Sequence, residues 1–340
     1  MRKLLNPALV VFLCGSLAGC GANATAPGTV STAISTKAVP EHIRALKDEH
    51  VDARRLAAHC LWQIGAEAPE ATPALLDALH DKDAEVRMEA ARALGRTGQK
   101  ESKVIAALAA ALKDEDAAVR LKAVASLFEL NEQATAQRPV VLPSLIEALR
   151  DKNEEVQAGA AILIGKFGQD AREAVPDLMT LLKAAHVKAR QNATYALAVI
   201  GPDARPALPI FLDLAKNDAD VGVRTNALLA IGRIGPEASS AVPFLIENIQ
   251  SEDVARQWGA ALALYHIGPD ARAAIPALTK LLERDSLDQQ VRQAATTVIA
   301  SLNGKKPTSR ESLPPMGTGA MNEQQMLQMK RMRLGPGKNP

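Results

Sequence analysis

Six histidines, three cysteines and a recurring set of carboxylates are the side chains with which this sequence of 340 residues could do chemistry. A protein metal centre on helices needs imidazoles and carboxylates three or four residues apart, so that they share one face. His42, His50, His59, His80, His186 and His266 form no such pair, and no His-Glu dipeptide occurs. Neither a Ser/His/Asp set, a phosphate-cradling glycine loop nor paired cysteines stands out, so catalytic, cofactor-binding and metal sites are expected to be none. One constellation does recur. Asp77, Glu147, Asp213 and Glu247 each stand four residues after a proline, and they share that register with Arg44, Ala110, Thr180 and Lys280 in the remaining units. Carboxylates repeated along one surface steer a basic or extended protein segment.

The elements that must position these residues follow from a repeat. Only 3% of residues are aromatic, which suits thin layers of helix on helix. Gly65, Gly98, Gly168, Gly201, Gly235 and Gly268 lie 33, 70, 33, 34 and 33 residues apart, the 70 being two repeats with four residues inserted. Each unit opens on an Asp-rich turn and an apolar-periodic stretch, as in Asp81 to Arg87 followed by Ala90, Ala91 and Leu94, and it stops at a glycine. A second apolar pattern then begins at a proline, as at Pro73, Pro143 and Pro176, where the first helical turn loses no hydrogen bond. Neither helix can bury its stripe alone, so the units must stack. The stretch from Asn131 to Arg138 reads as a longer connection within the third unit. Cys60, Trp62 and Trp258 fall inside first-helix patterns and read as packing residues.

These residues resemble the HEAT family, in particular the short HEAT-like repeats of bilin lyases. The resemblance implies an all-α fold, an α-solenoid of about eight two-helix repeats over residues 40–304, with a leading helix at Pro40 to Leu46 and a last helix without a partner. It also implies a hydrogen-bonded ladder between repeats, from an Asp and an Arg six residues later. That spacing occurs at Asp48 and Arg54, Asp81 and Arg87, Asp114 and Arg120, and Asp218 and Arg224. Gln157, Ala184 and Gln257 break it. Second helices line the concave surface in this family, which would set Asp77, Glu147, Asp213 and Glu247 along a groove. Catalytic relatives hold di-iron through His-Glu pairs, or grip DNA in a basic groove; this chain has neither pattern. A lyase-like protein handling a prosthetic group is the alternative to a non-enzymatic scaffold.

The N-terminus reads as an address. Arg2 and Lys3, the apolar run Ala8 to Leu13 and then Leu17-Ala-Gly-Cys20 form a signal too short to span a bilayer. The last four residues resemble the lipobox of bacterial lipoproteins, which implies cleavage after residue 19, acylation of Cys20 and attachment to an envelope membrane on the periplasmic side. Gly21 stands where an Asp would imply inner-membrane retention, so the resemblance points to the outer membrane. Residues 20–39 read as a tether of small polar residues. Removal of Arg2 and Lys3 brings the 40 basic residues level with the 38 acidic ones. Residues 305–340 hold seven basic and two acidic residues, and five of the eight methionines, and read as a disordered tail. The repeats are therefore net acidic, which excludes nucleic acid as a partner.

Overall fold

The computed structural model describes residues 36–97 and 101–304. The expected signal segment, Cys20, Gly98 and the basic tail lie outside the described residues. Two compact units divide the chain, at Ala148 and Leu149.

In the first unit, helices α1 (Val39–Ala45), α2 (Val51–Ile64), α3 (Thr72–Ala78), α4 (Ala84–Arg96), α5 (Ser102–Ala111), α6 (Ala117–Glu129), α7 (Asn131–Ala136) and α8 (Arg138–Ala148) follow one another. The second unit contains α9 (Glu154–Gly165), α10 (Val175–Leu181), α11 (Val187–Ile200), α12 (Leu208–Asn217), α13 (Val221–Ile234), α14 (Val242–Gln250), α15 (Val254–Ile267), α16 (Ile275–Leu282) and α17 (Gln289–Leu302). Among the described residues every regular element is helical, and none of the helices is long and apolar enough to cross a membrane.

The period of the sequence is the period of the core. Leu61, Leu94 and Leu127 on α2, α4 and α6 are fully buried, as are Ile164, Leu197, Ile231 and Leu264 on the long helices of the second unit. The shorter helices bury a matching column, Leu75, Leu108 and Leu145 in one unit and Leu178, Phe211, Leu245 and Leu278 in the other. Each such side chain contributes about 1.5–3 kcal/mol of burial, so neighbouring repeats hold each other through a few residues per layer. Small residues let the long helices approach. A Cβ on Gly232 would stand 2.7 Å from the Ala263 Cα, and one on Gly165 2.8 Å from the Tyr195 ring.

Prolines 40, 73, 176, 209, 243 and 276 all occupy the first turn of a short helix. Gly201, Gly235 and Gly268 end the long helices at φ near +80° and hand the chain to a seven-residue 3-10 turn.

Two boundaries differ from expectation. The leading helix opens at Val39, within the expected tether, because Val39 is 1% exposed and packs as core. The longer connection in the third repeat is itself helical, with Asn131–Ala136 forming α7, and the helix expected to open at Pro143 starts at Arg138 with Pro143 inside it. Pro139 takes the first-turn role there, and buried Ala134 anchors α7.

Candidate functional site

The loops that enter the long helices build the most polar part of each repeat. Asp83, Asp116, Asn153, Asp220, Asp253 and Asp288 cap these helices by accepting from backbone amides of the first turn. Two residues earlier, Asp81 accepts from the Asp83 amide at 2.9 Å, and Asp114 and Asp218 repeat the contact. The arginine six residues on from this Asp reaches back to its backbone carbonyl and across to the next repeat's carboxylate. Arg54 donates to the Asp48 carbonyl at 2.9 Å and, through Nε and Nη2, to both oxygens of Asp81 at 2.6 and 3.0 Å. Arg87 joins the Asp81 carbonyl to the Asp114 carboxylate at 2.8 and 2.9 Å, and Arg190 joins the Ala184 carbonyl to Asp218 at 2.8 and 3.0 Å. Arg120 and Arg224 hold the carbonyls of Asp114 and Asp218 at 2.9 and 2.7 Å.

Fork-to-fork geometry gives two parallel charge-assisted bonds per rung. Burial pushes the Asp81, Asp114 and Asp218 carboxyls up. The bonds from their arginines, the neighbouring amide and the guanidinium charge outweigh that and hold all three below the ordinary range. Arg55 makes a second fork to Asp83, which with its two capping amides lowers that carboxyl to about 2.

Where the spacing breaks, the rung changes. Gln157 keeps the inward bond, to the Asp151 carbonyl at 2.7 Å, but Ala184, which follows it by 27 residues as Asp81 follows Arg54, has no carboxylate to offer. Gln257 bonds the Ser251 carbonyl at 2.5 Å, and there Arg284 comes in from the following repeat to the carbonyls of Ser251 and Gln250 at 3.3 and 3.0 Å. Beside Ala184 a recess of about 550 Å³ is open. Buried Leu182 and Leu214, half-buried Ile210 and Arg190, and exposed Lys183 and Asp213 line it.

All four recurring carboxylates are exposed on short helices, but their surroundings differ. In the first unit Lys47 pairs with Asp77 at 3.5 Å and Lys113 with Glu147 at 2.6 Å. In the second unit neither Asp213 nor Glu247 has an ion-pair partner among the described residues; Asp213 accepts only from Asn217, at 2.7 Å. The two lysines are functional neighbours that reading one register alone overlooks. Each follows the preceding short helix by two residues, and sequence spacing did not single them out, because Lys183 and Lys216 stand 30 and 31 positions before Asp213 and Glu247 and make no such ion pair among the described residues.

Among the described residues no group of three or more His, Cys, Asp and Glu is placed to hold a metal ion. Cys60 is buried, and Trp62 carries the Arg92 guanidinium 3.2 Å from its ring centre, so the ring serves contact between repeats.

Solved structures share this architecture. An engineered protein is 24% identical over 79% of this chain and 81% of its own, with a TM-score of 0.62. YibA of E. coli is 19% identical over 82% of this chain and 99% of its own, at 0.55. A chain from a study of the phosphorylation-switched interaction between cadherin and β-catenin is 17% identical over 77% of this chain and 60% of its own, at 0.54. These likenesses establish the fold. No curated protein matches the sequence. The family model for HEAT repeats matches residues 39–128, 142–221 and 208–300, most of the chain. With its stacked helix pairs, capped long helices and Asp–Arg rungs, the chain belongs to the HEAT-repeat family.

Proposed function

We propose that this protein is a non-enzymatic scaffold that holds a basic, extended segment of a partner protein and is anchored to a bacterial envelope membrane through lipid on Cys20. The observation that carries the binding reading is the pair of exposed, unpaired carboxylates, Asp213 and Glu247, on successive short helices, one of them beside an apolar recess. Packed helices lie about 8–10 Å apart, so the two charges suit cations spaced along an extended chain. A partner with basic residues flanking an apolar side chain would satisfy both features. Asp77 and Glu147, each neutralised by a lysine, contribute little to such a surface. The cadherin and β-catenin relative, whose interaction is under study in that structure, supports protein binding as a use of this fold.

The test is crosslinking in intact envelopes followed by mass spectrometry. Wild-type protein should recover a partner peptide rich in Lys or Arg, and Asp213→Lys/Glu247→Lys should lose it. Recovery of the same partner by the double variant would refute the binding reading. The anchor is tested separately: Cys20→Ala should leave the membrane fraction, and on the outer-membrane reading wild-type protein should sediment with outer-membrane vesicles.

A further inference from the structure

The recess beside Ala184 lies where an ion pair that the first unit closes is left open. In the first unit Lys47 reaches Asp77 at 3.5 Å and Lys113 reaches Glu147 at 2.6 Å. Lys183 stands 30 residues before Asp213, as Lys47 stands before Asp77. Both line the recess, yet no ion pair joins them. Among the described residues the Lys183 ammonium has no partner, and Asp213 accepts only from Asn217, at 2.7 Å. Asn217 supplies the local reason. It lies one helical turn beyond Asp213 and holds that carboxylate along its own helix, whereas four places after Asp77 and Glu147 stand Asp81 and Asp151, whose carboxylates have nothing to donate.

We propose that the recess binds a small zwitterion with an aliphatic side chain, an amino acid or a short peptide with free ends, its ammonium on Asp213 and its carboxylate on Lys183. The floor suits the side chain. Leu182 and Leu214 are buried, Ile210 is half-buried, and Pro209 extends the apolar surface. The volume of about 550 Å³ falls within the span of about 300–1,000 Å³ for small-molecule sites.

The remaining charged residue of the recess does not alter the balance. Arg190 donates through Nε and Nη2 to both oxygens of Asp218, and through Nη1 to the carbonyls of Ala184 and Ala185. Four of its five N–H groups, and its charge, are therefore matched within the protein. One uncompensated charge of each sign is left at the recess. A ligand small enough to stay inside meets both, and one that carries both signs satisfies both. An extended basic segment, by contrast, runs on to Glu247 on the next short helix. The inference does not depend on that segment, since it uses Lys183 and leaves Glu247 out.

The experiment titrates the full chain, labelled at the methyl groups of Ile and Leu, with L-leucyl-L-leucine and follows Leu182, Ile210 and Leu214 by NMR. Saturable shifts of the Ile210 methyl at millimolar ligand are expected. An exposed charge contact is worth a factor of about two to five. Leucyl-leucinamide, which lacks the carboxylate, and N-acetyl-leucyl-leucine, which lacks the ammonium, should therefore each bind about threefold weaker or more. Lys183→Gln should weaken leucyl-leucine to the level of the amide, and Asp213→Asn to that of the acetylated form. Both side chains are exposed, so neither change disturbs folding. Free leucine, run alongside, identifies the source: binding as tight as the dipeptide's assigns a single amino acid, and weaker binding assigns a peptide with free ends. No saturable shift at the three residues, blocked forms that bind as well as the zwitterion, or indifference to both substitutions would overturn the inference. Glu247→Lys keeps the two readings apart. It should weaken a Lys/Arg-rich peptide while leaving leucyl-leucine within about twofold of wild type, and a larger loss of leucyl-leucine in that variant would also overturn the inference.

Discussion

At the scale of single residues, the rungs bear much of the polar energetics. Arg87 and Asp114 have side chains only 9% and 12% exposed, so removing one partner strands a charge in a dry site. Breaking such a pair costs about 3–5 kcal/mol. Asp114→Ala is therefore expected to lower the melting temperature by several degrees, whereas Asp77→Ala, from an exposed pair, should change it little; calorimetry on both variants checks the contrast. The sign of the acid dependence follows from the depressed carboxyls. Their stabilisation is complete above the unfolded aspartate value of about 3.9 and is lost as pH falls through the folded values, about 2 for Asp83. Melting temperature should hold steady from about pH 7 to 5 and drop steeply below about 4, with a shallower drop in Asp83→Asn. The Asp and Arg spacing of each rung was readable in the sequence. The bond between repeats came from the family resemblance rather than from spacing, because the carboxylate that Arg54 grips lies 27 residues away, a distance that becomes a contact only once helices stack.

At the scale of elements, the glycines separate two physical constraints. A Cβ added at Gly268 would meet nothing within 4 Å, but the residue sits at φ +76°, so Gly268→Ala tests backbone strain alone and should cost about 1–2 kcal/mol. Gly232 is helical, and its added Cβ would meet the Ala263 backbone at 2.7 Å, so Gly232→Ala must push α13 from α15 and should cost about 1–3 kcal/mol. Denaturant unfolding of the pair distinguishes turn from interface. Helix starts were legible because proline and aspartate have one favourable place at an N-terminus. Helix α7 and the early start of α8 were not, since an insertion carries no period and Pro143 has the same local signature whether it opens a helix or lies inside one.

At the scale of the whole molecule, the repeat made the family readable from the sequence, whereas the binding surface needed the structure. Four carboxylates at one register looked equivalent; two are held by lysines from the preceding repeat and two are not. The recess was hidden for a similar reason, since its lining comes from two stretches of chain, residues 182–190 and 209–214, that meet only once the helices stack. Rebuilding the rung that Gln157 and Ala184 interrupt, with Gln157→Arg/Ala184→Asp, should raise the melting temperature, which calorimetry checks.

The central claim is that Asp213 and Glu247, rather than acidity in general, receive a basic segment. Fluorescence anisotropy of a Lys/Arg-rich peptide, titrated at several salt concentrations, tests it with two charge-matched variants. Asp213→Lys/Glu247→Lys should weaken binding about tenfold, or about 1.4 kcal/mol, and flatten its salt dependence, while Asp77→Lys/Glu147→Lys should leave both within about twofold of wild type. Equal loss in the two variants, or loss in neither, would contradict the account.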